Sequence, residues 1–172
     1  LNFLLGKGMK PELGKWFHAD MDPRPHKTEF ISPPRDDVIY LMASVCHPRT
    51  WNILQGKKVI LWHTMSGKHT PKWVEENDPG QWLIGAGSTI GLAAVHLGGF
   101  LGYRHFEIHG FDGSFRSEQR HAGSHNGHPQ KPITRLINGR EFLTSKIMDN
   151  ANYEVRYLLD KFPVFCVFHG DG

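Results

Sequence analysis

The chain is poor in cysteine. Two thiols, Cys46 and Cys166, in 172 residues exclude a disulfide-stapled scaffold, and both stand in apolar, strand-like runs where a buried free thiol is the ordinary state. This usage suits a reducing compartment, so the expected location is the cytoplasm. No apolar run approaches the roughly 20 residues that a bilayer-spanning helix needs, and no signal-peptide pattern is present; no membrane span is expected. There is no run of one charge either. The 20 basic and 17 acidic residues leave a formal net charge of +3 that is spread along the chain, which suits an anionic small molecule better than a nucleic-acid groove. No internal repeat is apparent. The chain begins on Leu1 rather than Met, and Asn2-Phe-Leu-Leu-Gly6 reads as the tail of a helix closed by glycine. The expectation is a chain that starts inside a domain, after at least one missing element.

What is present is a globular composition, 39% hydrophobic and 22% charged, at a length that fits one domain over residues 1–172. Its organising stretch is Gly85-Ala-Gly-Ser-Thr-Ile-Gly91. A helix-like run follows to Gly102, then a short β-rich run, His105-Phe-Glu-Ile-His109, then Gly110-Phe-Asp-Gly-Ser114. Ser88 or Thr89 is a good N-cap, its hydroxyl accepting from a backbone N–H of the first turn. Glycines ahead of the cap leave N–H groups approachable, and a helix N-terminus attracts phosphates. Gly85, Gly87, Ser88, Thr89 and Gly91 are therefore candidate phosphate-binding residues; the competing reading is a tight turn before an ordinary helix. Gly110, Asp112 and Ser114 follow a strand at its C-terminal end, where ligands bind in open α/β sheets. Gly98 and Gly99 inside the helix cost about 1 kcal/mol each relative to Ala, which points to a steric need.

Upstream, residues 15–21 read as a strand. Asp20 and Asp22, two apart, face one side of it and could hold a divalent metal with a diphosphate; the competing reading is a strand ending in an Asp-Pro turn. Residues 26–37 read as loop. Val38-Ile-Tyr-Leu-Met-Ala43 and Lys58-Val-Ile-Leu-Trp-His63 read as buried strands with a brief helix at 48–54 between them. This pattern predicts an α/β domain with a largely parallel sheet. Residues 64–82 read as a flexible excursion whose Lys68, His69 and Lys72 either meet phosphate or are solvated. Cys46 and Cys166 aside, the polar stretch 116–131 carries His121, His125 and His128. It lacks cysteine and matches no common zinc spacing, so it reads as a loop over an active site using one histidine as acid or base. Residues 132–144 carry a hairpin signature with Asn138-Gly139 at a type I′ turn. Ser145 then caps a helix over 146–161, with Ile147, Tyr153, Tyr157 and Leu158 as its expected buried face. Pro163–Phe168 reads as a last buried strand.

Six ordered stretches carry a resemblance: Asp22-Pro-Arg-Pro; Ala43-Ser-Val-Cys-His-Pro; Gly87-Ser-Thr-Ile-Gly-Leu; Leu101-Gly-Tyr-Arg with Gly110-Phe-Asp-Gly-Ser-Phe; His121-Ala; and His169-Gly-Asp-Gly. Together the chain resembles the domain family that includes the archaeal 6-hydroxymethylpterin diphosphokinase (MptE-like) and the motility-associated (Maf) flagellin glycosyltransferases. The Ser-Thr-Ile-Gly, helix, Gly-Phe-Asp order is also similar to bacterial CMP-sialic-acid sialyltransferases. The resemblance implies a Rossmann-like three-layer α/β/α fold that lacks its first strand, and a nucleotide-dependent transferase. It implies a phosphate on Gly87, Ser88 and Thr89, a nucleotide pocket lined by Asp112 and Ser114, and His121 as catalytic base with His125 in reserve. The implied substrate is a nucleotide or nucleotide-sugar with an unnamed acceptor, without a tightly bound cofactor. Mg²⁺ enters only in the diphosphokinase alternative, on Asp22 and Asp112; a non-catalytic nucleotide- or sugar-binding module is the third reading. Two features depart from the family pattern: the upstream strand with its Gly-Pro-Ser loop is absent, and the loop after His121 lacks the aromatic-and-proline pattern.

Overall fold

Short apolar runs that alternate with polar segments fold as parallel strands joined by helices. The computed structural model describes residues 2–10, 16–65, 67–85, 87–115 and 131–170. The chain divides into two compact units, Leu1–Ala86 and Gly87–Gly172.

The first unit holds α1 (Asn2–Gly6) and a four-stranded parallel sheet of β1 (Trp16–Asp20), β2 (Val38–Ala43), β3 (Lys58–Thr64) and β4 (Leu83–Ile84), paired in chain order. Parallel neighbours need crossovers. A 3₁₀ turn at Pro25–Phe30, α2 (Pro48–Ile53) and α3 (His69–Asn77) lie in the three connections. β2 is an interior strand, paired along its length with β1 and β3, with Val38, Tyr40, Leu41, Met42 and Ala43 all buried, as its unbroken apolar run predicts. β3 differs from expectation. Its C-terminal half is buried, but Ile60 and Leu61, which project to opposite faces of the sheet, are exposed, and β4 pairs only with His63 and Thr64. The segment 64–82, expected as an excursion, carries α3. That helix buries Val74 and is otherwise polar enough to hide its periodicity.

The second unit pairs β5 (His105–His109) with β8 (Phe165–His169) in parallel. α4 (Ile90–Phe100) and α5 (Lys146–Lys161) pack on this pair, and β6 (Pro132–Ile137) and β7 (Arg140–Ser145) form the hairpin. The turn Asn138-Gly139 has φ of 51° and 78°, the left-handed pair that a type I′ turn requires. Ser145 caps α5, its Oγ accepting from the Met148 N–H at 3.3 Å. The buried face of α5 is a correction. Ala151, Val155 and Leu158 pack into the core with Leu92, Val95, Phe106 and Phe162, whereas Ile147, Tyr153 and Tyr157 are exposed. The i, i+4, i+7 stripe is carried by the smaller residues; the aromatics lie off it.

The two helical glycines have the steric reason that their cost suggests. A Cβ on Gly98 would lie 2.6 Å from the Phe106 ring, and one on Gly99 would lie 2.1 Å from the Phe162 ring. Gly99→Ala gains about 1 kcal/mol of helix propensity but overpacks against a phenyl ring at a cost of about 1–3 kcal/mol. The expected net result in urea unfolding is a loss of about 1 kcal/mol. Adding Phe162→Leu should recover most of it; a stabilised Gly99→Ala protein would refute the close approach.

Candidate functional site

Thr89 is the N-cap of α4, with extended backbone, and its Oγ1 accepts from the Leu92 N–H at 3.4 Å. Ser88 serves another purpose. Its N–H and its hydroxyl both donate to Oε2 of Glu154, at 2.8 and 2.5 Å. A carboxylate from α5 thus stands where the sequence places a phosphate. An acidic group at a helix N-terminus is favoured by the same orphan donors and dipole that favour phosphate. The glycines here answer to packing. Gly87 has φ of 59°, and a Cβ there would lie 2.8 Å from Leu92 Cδ1 and 3.2 Å from the Glu154 carboxylate. A Cβ on Gly91 would lie 2.3 Å from the Phe111 ring.

The turn after β5 is built by two left-handed glycines, Gly110 at φ 71° and Gly113 at φ 62°. It is pinned on three sides. The Phe115 N–H donates to the Leu143 carbonyl at 2.7 Å, and the Thr144 hydroxyl donates to the Gly113 carbonyl. A Cβ on Gly113 would meet Asn152 at 2.7 Å, and one on Gly170 would meet Asp112 Oδ1 at 2.0 Å. These close approaches put Asp112 and Ser114 on a cleft of about 340 Å³ with Asn152, Arg156 and His169, at the C-terminal ends of β5 and β8. Arg135 enters from β6 and forms a two-pronged pair with Asp149, with Nε to Oδ1 at 2.9 Å and Nη2 to Oδ2. Hydrogen bonding from Arg135 holds the Asp149 carboxyl below the usual range. The cleft therefore joins the carboxylates of Asp112 and Asp149, the guanidinium groups of Arg135 and Arg156, the hydroxyls of Ser114 and Thr144, the Asn152 amide and the His169 imidazole.

Of the sequence-derived candidates, Asp112 and Ser114 share this cleft, with Gly110 in the turn that carries them. Ser88, Thr89, Gly87 and Gly91 gather at the start of α4, and Gly85 belongs to the first unit. His121 and His125, with His128, lie outside the described residues. In the first unit, Asp22 is engaged by cations of the chain. Arg24 Nε donates to it at 2.8 Å, and Lys27 Nζ lies 3.7 Å away. Burial acts to raise the Asp22 pKa, but the hydrogen bonds and charges of Arg24 and Lys27 keep it below the usual range. Asp20 accepts from the Asp22 N–H at 2.9 Å, and burial pushes its carboxyl up. A metal on this pair would have two positive side chains to displace. Lys72 lies 3.7 Å from Glu76 on the surface of α3.

Sequence reasoning missed several residues. Glu154, Asn152, Arg156 and the Arg135–Asp149 pair reach their places through tertiary packing and carry no local signal. Ser44 and His63 also meet: Ser44 Oγ lies 3.0 Å from the Nδ1 of the buried His63, beside a cavity of about 520 Å³ that includes Trp51 and Trp73. That hydrogen bond satisfies a buried imidazole and has the reach of a nucleophile–base pair. The signal for it was available, since both follow apolar runs toward strand C-terminal ends. Glu107, His109 and His169 bring metal-ligating atoms within 4.8 Å of one another; the alternation His105-x-Glu107-x-His109 already places three of this group's kind on one strand face.

Two titrations can be measured in the first unit. Burial lowers the His18 pKa from 6.5 to about 4. Between those values the unfolded chain binds a proton that the folded one does not, so stability falls as pH drops from 6.5 toward 4, by on the order of 2–3 kcal/mol. Denaturant titrations across this window should show that slope, and His18→Gln should flatten it. Burial, followed by the charge of Asp20, pushes the Cys46 thiol up to about 12, so native Cys46 should resist iodoacetamide at pH 8 and react only on unfolding; mass-mapped alkylation of the native chain at Cys46 would contradict this.

Comparison with known protein families, with curated proteins and with solved structures finds no match to this chain.

Proposed function

We propose that the chain is a nucleotide-dependent transferase, glycosyltransferase-like in the manner of the sialyltransferases it resembles, with the second unit holding the nucleotide. The observation that carries this reading is the glycine-built turn Gly110–Ser114. It sets Asp112 and Ser114 on a cleft with Arg156 at the C-terminal ends of two parallel strands, the usual ligand position in α/β sheets. With it goes the finer fold class, a Rossmann-like three-layer α/β/α domain, which the parallel strands of both units support.

In this reading Asp112 accepts from hydroxyls or a base amine of the nucleotide, Asn152 and Ser114 supply further hydrogen bonds, and Arg156 faces anionic oxygen. The phosphate sits on the N–H and hydroxyl of Ser88 at the start of α4. Transfer breaks the bond between the sugar's anomeric carbon and the phosphate oxygen and forms one from that carbon to the acceptor oxygen. His121, supplied by the resemblance with His125 in reserve, takes the acceptor's proton. Preorganised N–H groups stabilise the charge gathering on the leaving phosphate, and no metal is needed.

Thermal stability and calorimetric titration with CMP, CTP, ATP, UDP and GDP, each with and without Mg²⁺, test the reading. CMP should stabilise the protein without metal, by about 2.7 kcal/mol at 100 times its Kd. Asp112→Ala and Arg156→Ala should each weaken binding by about 10- to 100-fold, the range of a charged hydrogen bond, and Ser88→Ala should weaken it less. A response to ATP only with Mg²⁺ would favour the diphosphokinase instead. Binding without sugar transfer would leave a nucleotide-binding module, and no response to any nucleotide would sink the nucleotide site and both transferase readings with it.

A further inference from the structure

The polar face of the β5–β8 pair carries a group that the cleft does not account for. In the parallel register His109 stands directly opposite His169, and Glu107 stands opposite Val167. Alternate strand residues share a face, so Glu107 and His109 project on the side that His169 also takes. The two imidazoles stack with centroids 4.3 Å apart and planes only 7° from parallel. The Glu107 carboxylate oxygen Oε2 contacts His169 Nε2. One ligand atom from each of the three lies within 4.8 Å of the other two, and all three side chains are exposed.

Bonds of about 2.0–2.2 Å in a tetrahedral zinc site put neighbouring ligand atoms about 3.4 Å apart. The three ligand atoms lie within 4.8 Å of one another, so the exposed side chains must turn toward a common point, and the two imidazoles must leave their parallel stack, to reach that spacing. Without an ion, the exposed Glu–His contact stabilises little, because surface pairs are well solvated. Two imidazoles and one carboxylate are the donor set of a borderline divalent ion, zinc above all. Three protein ligands leave the fourth position open to water or a ligand.

We propose that Glu107, His109 and His169 form a three-ligand site for a divalent transition metal, with zinc the favoured ion. The site lies at the C-terminal end of the β5–β8 pair. It ties together two strands that are 55 or more residues apart in the chain but adjacent in the sheet. His169 also borders the cleft with Asp112 and Arg156, so the ion adds positive charge at that rim. The proposal stands whether or not the cleft takes a nucleotide.

The experiment is titration of chelator-treated, full-length protein with Co²⁺, read by its visible d–d absorption, followed by displacement with Zn²⁺. One saturable equivalent of Co²⁺ with low-coordination bands, displaced by Zn²⁺, is expected. His109→Gln and His169→Gln should each weaken binding at least about tenfold, since even outer-shell losses cost 10- to 100-fold; Glu107→Gln should alter the band shape. The triple variant His121→Ala, His125→Ala, His128→Ala should bind as the unaltered protein does. Circular dichroism establishes that each variant is folded. A folded protein without Co²⁺ bands overturns the proposal, as does binding that survives both glutamine variants or that vanishes in the triple variant.

Discussion

Three phenyl rings press on the backbone of one helix, and the second unit is arranged around that contact. Phe111, Phe106 and Phe162 occupy the space that side chains at Gly91, Gly98 and Gly99 would fill. The helix cost of glycine, about 1 kcal/mol per position, is offset by the area that the rings remove from water, at about 25 cal/mol per Å². The three rings come from three places: the turn after β5, β5 itself and the C-cap of α5. Seating them on one helix therefore sets the depth at which the strand pair, the turn and α5 approach α4. The turn then has little freedom, and Asp112 and Ser114 reach the cleft as a result.

Much of this was legible where the determinant was local. The unbroken run Val38–Ala43 makes a strand buried along its length because both faces are apolar. Asn138-Gly139 makes its turn because both residues tolerate left-handed backbone. Thr89 and Ser145 cap helices with their own hydroxyls. What failed was decided by partners distant in sequence. Tyr153 and Tyr157 look like core by type, yet the stripe that meets β5 and β8 is Ala151, Val155 and Leu158. Ile60 and Leu61 look buried by type, yet both are exposed, on opposite faces of the strand. α3 stayed hidden because burial of Val74 gives no periodic signal. The candidate site divides in the same way: its turn follows from Gly-Phe-Asp-Gly-Ser, while Asn152 and Arg156 arrive on a helix some 40 residues later.

The glycines of the organising stretch carry a more general lesson. A Gly-x-Gly-x-x-x-Gly pattern before a helix reads as phosphate chemistry because close backbone approach is what phosphate binding needs. Close approach is also what a phenyl ring needs. Gly91 admits Phe111, and Gly87 admits Leu92 and Glu154; two of the three glycines are explained by packing before any ligand is invoked. The functional weight therefore shifts from the glycines to the polar groups of the Gly110–Ser114 turn.

The bond between Ser88 and Glu154 makes any anion binding at the start of α4 an exchange. An incoming phosphate would not fill a waiting vacancy; it would evict an incumbent that already holds the same N–H and hydroxyl. The gain is then the difference between two anions on one set of donors, and the released carboxylate must find water or a cation. Such a site is selective by default. Singly charged anions with weak acceptor oxygens gain nothing over Glu154, and only a ligand that is more highly charged, or anchored elsewhere at the same time, can take the place.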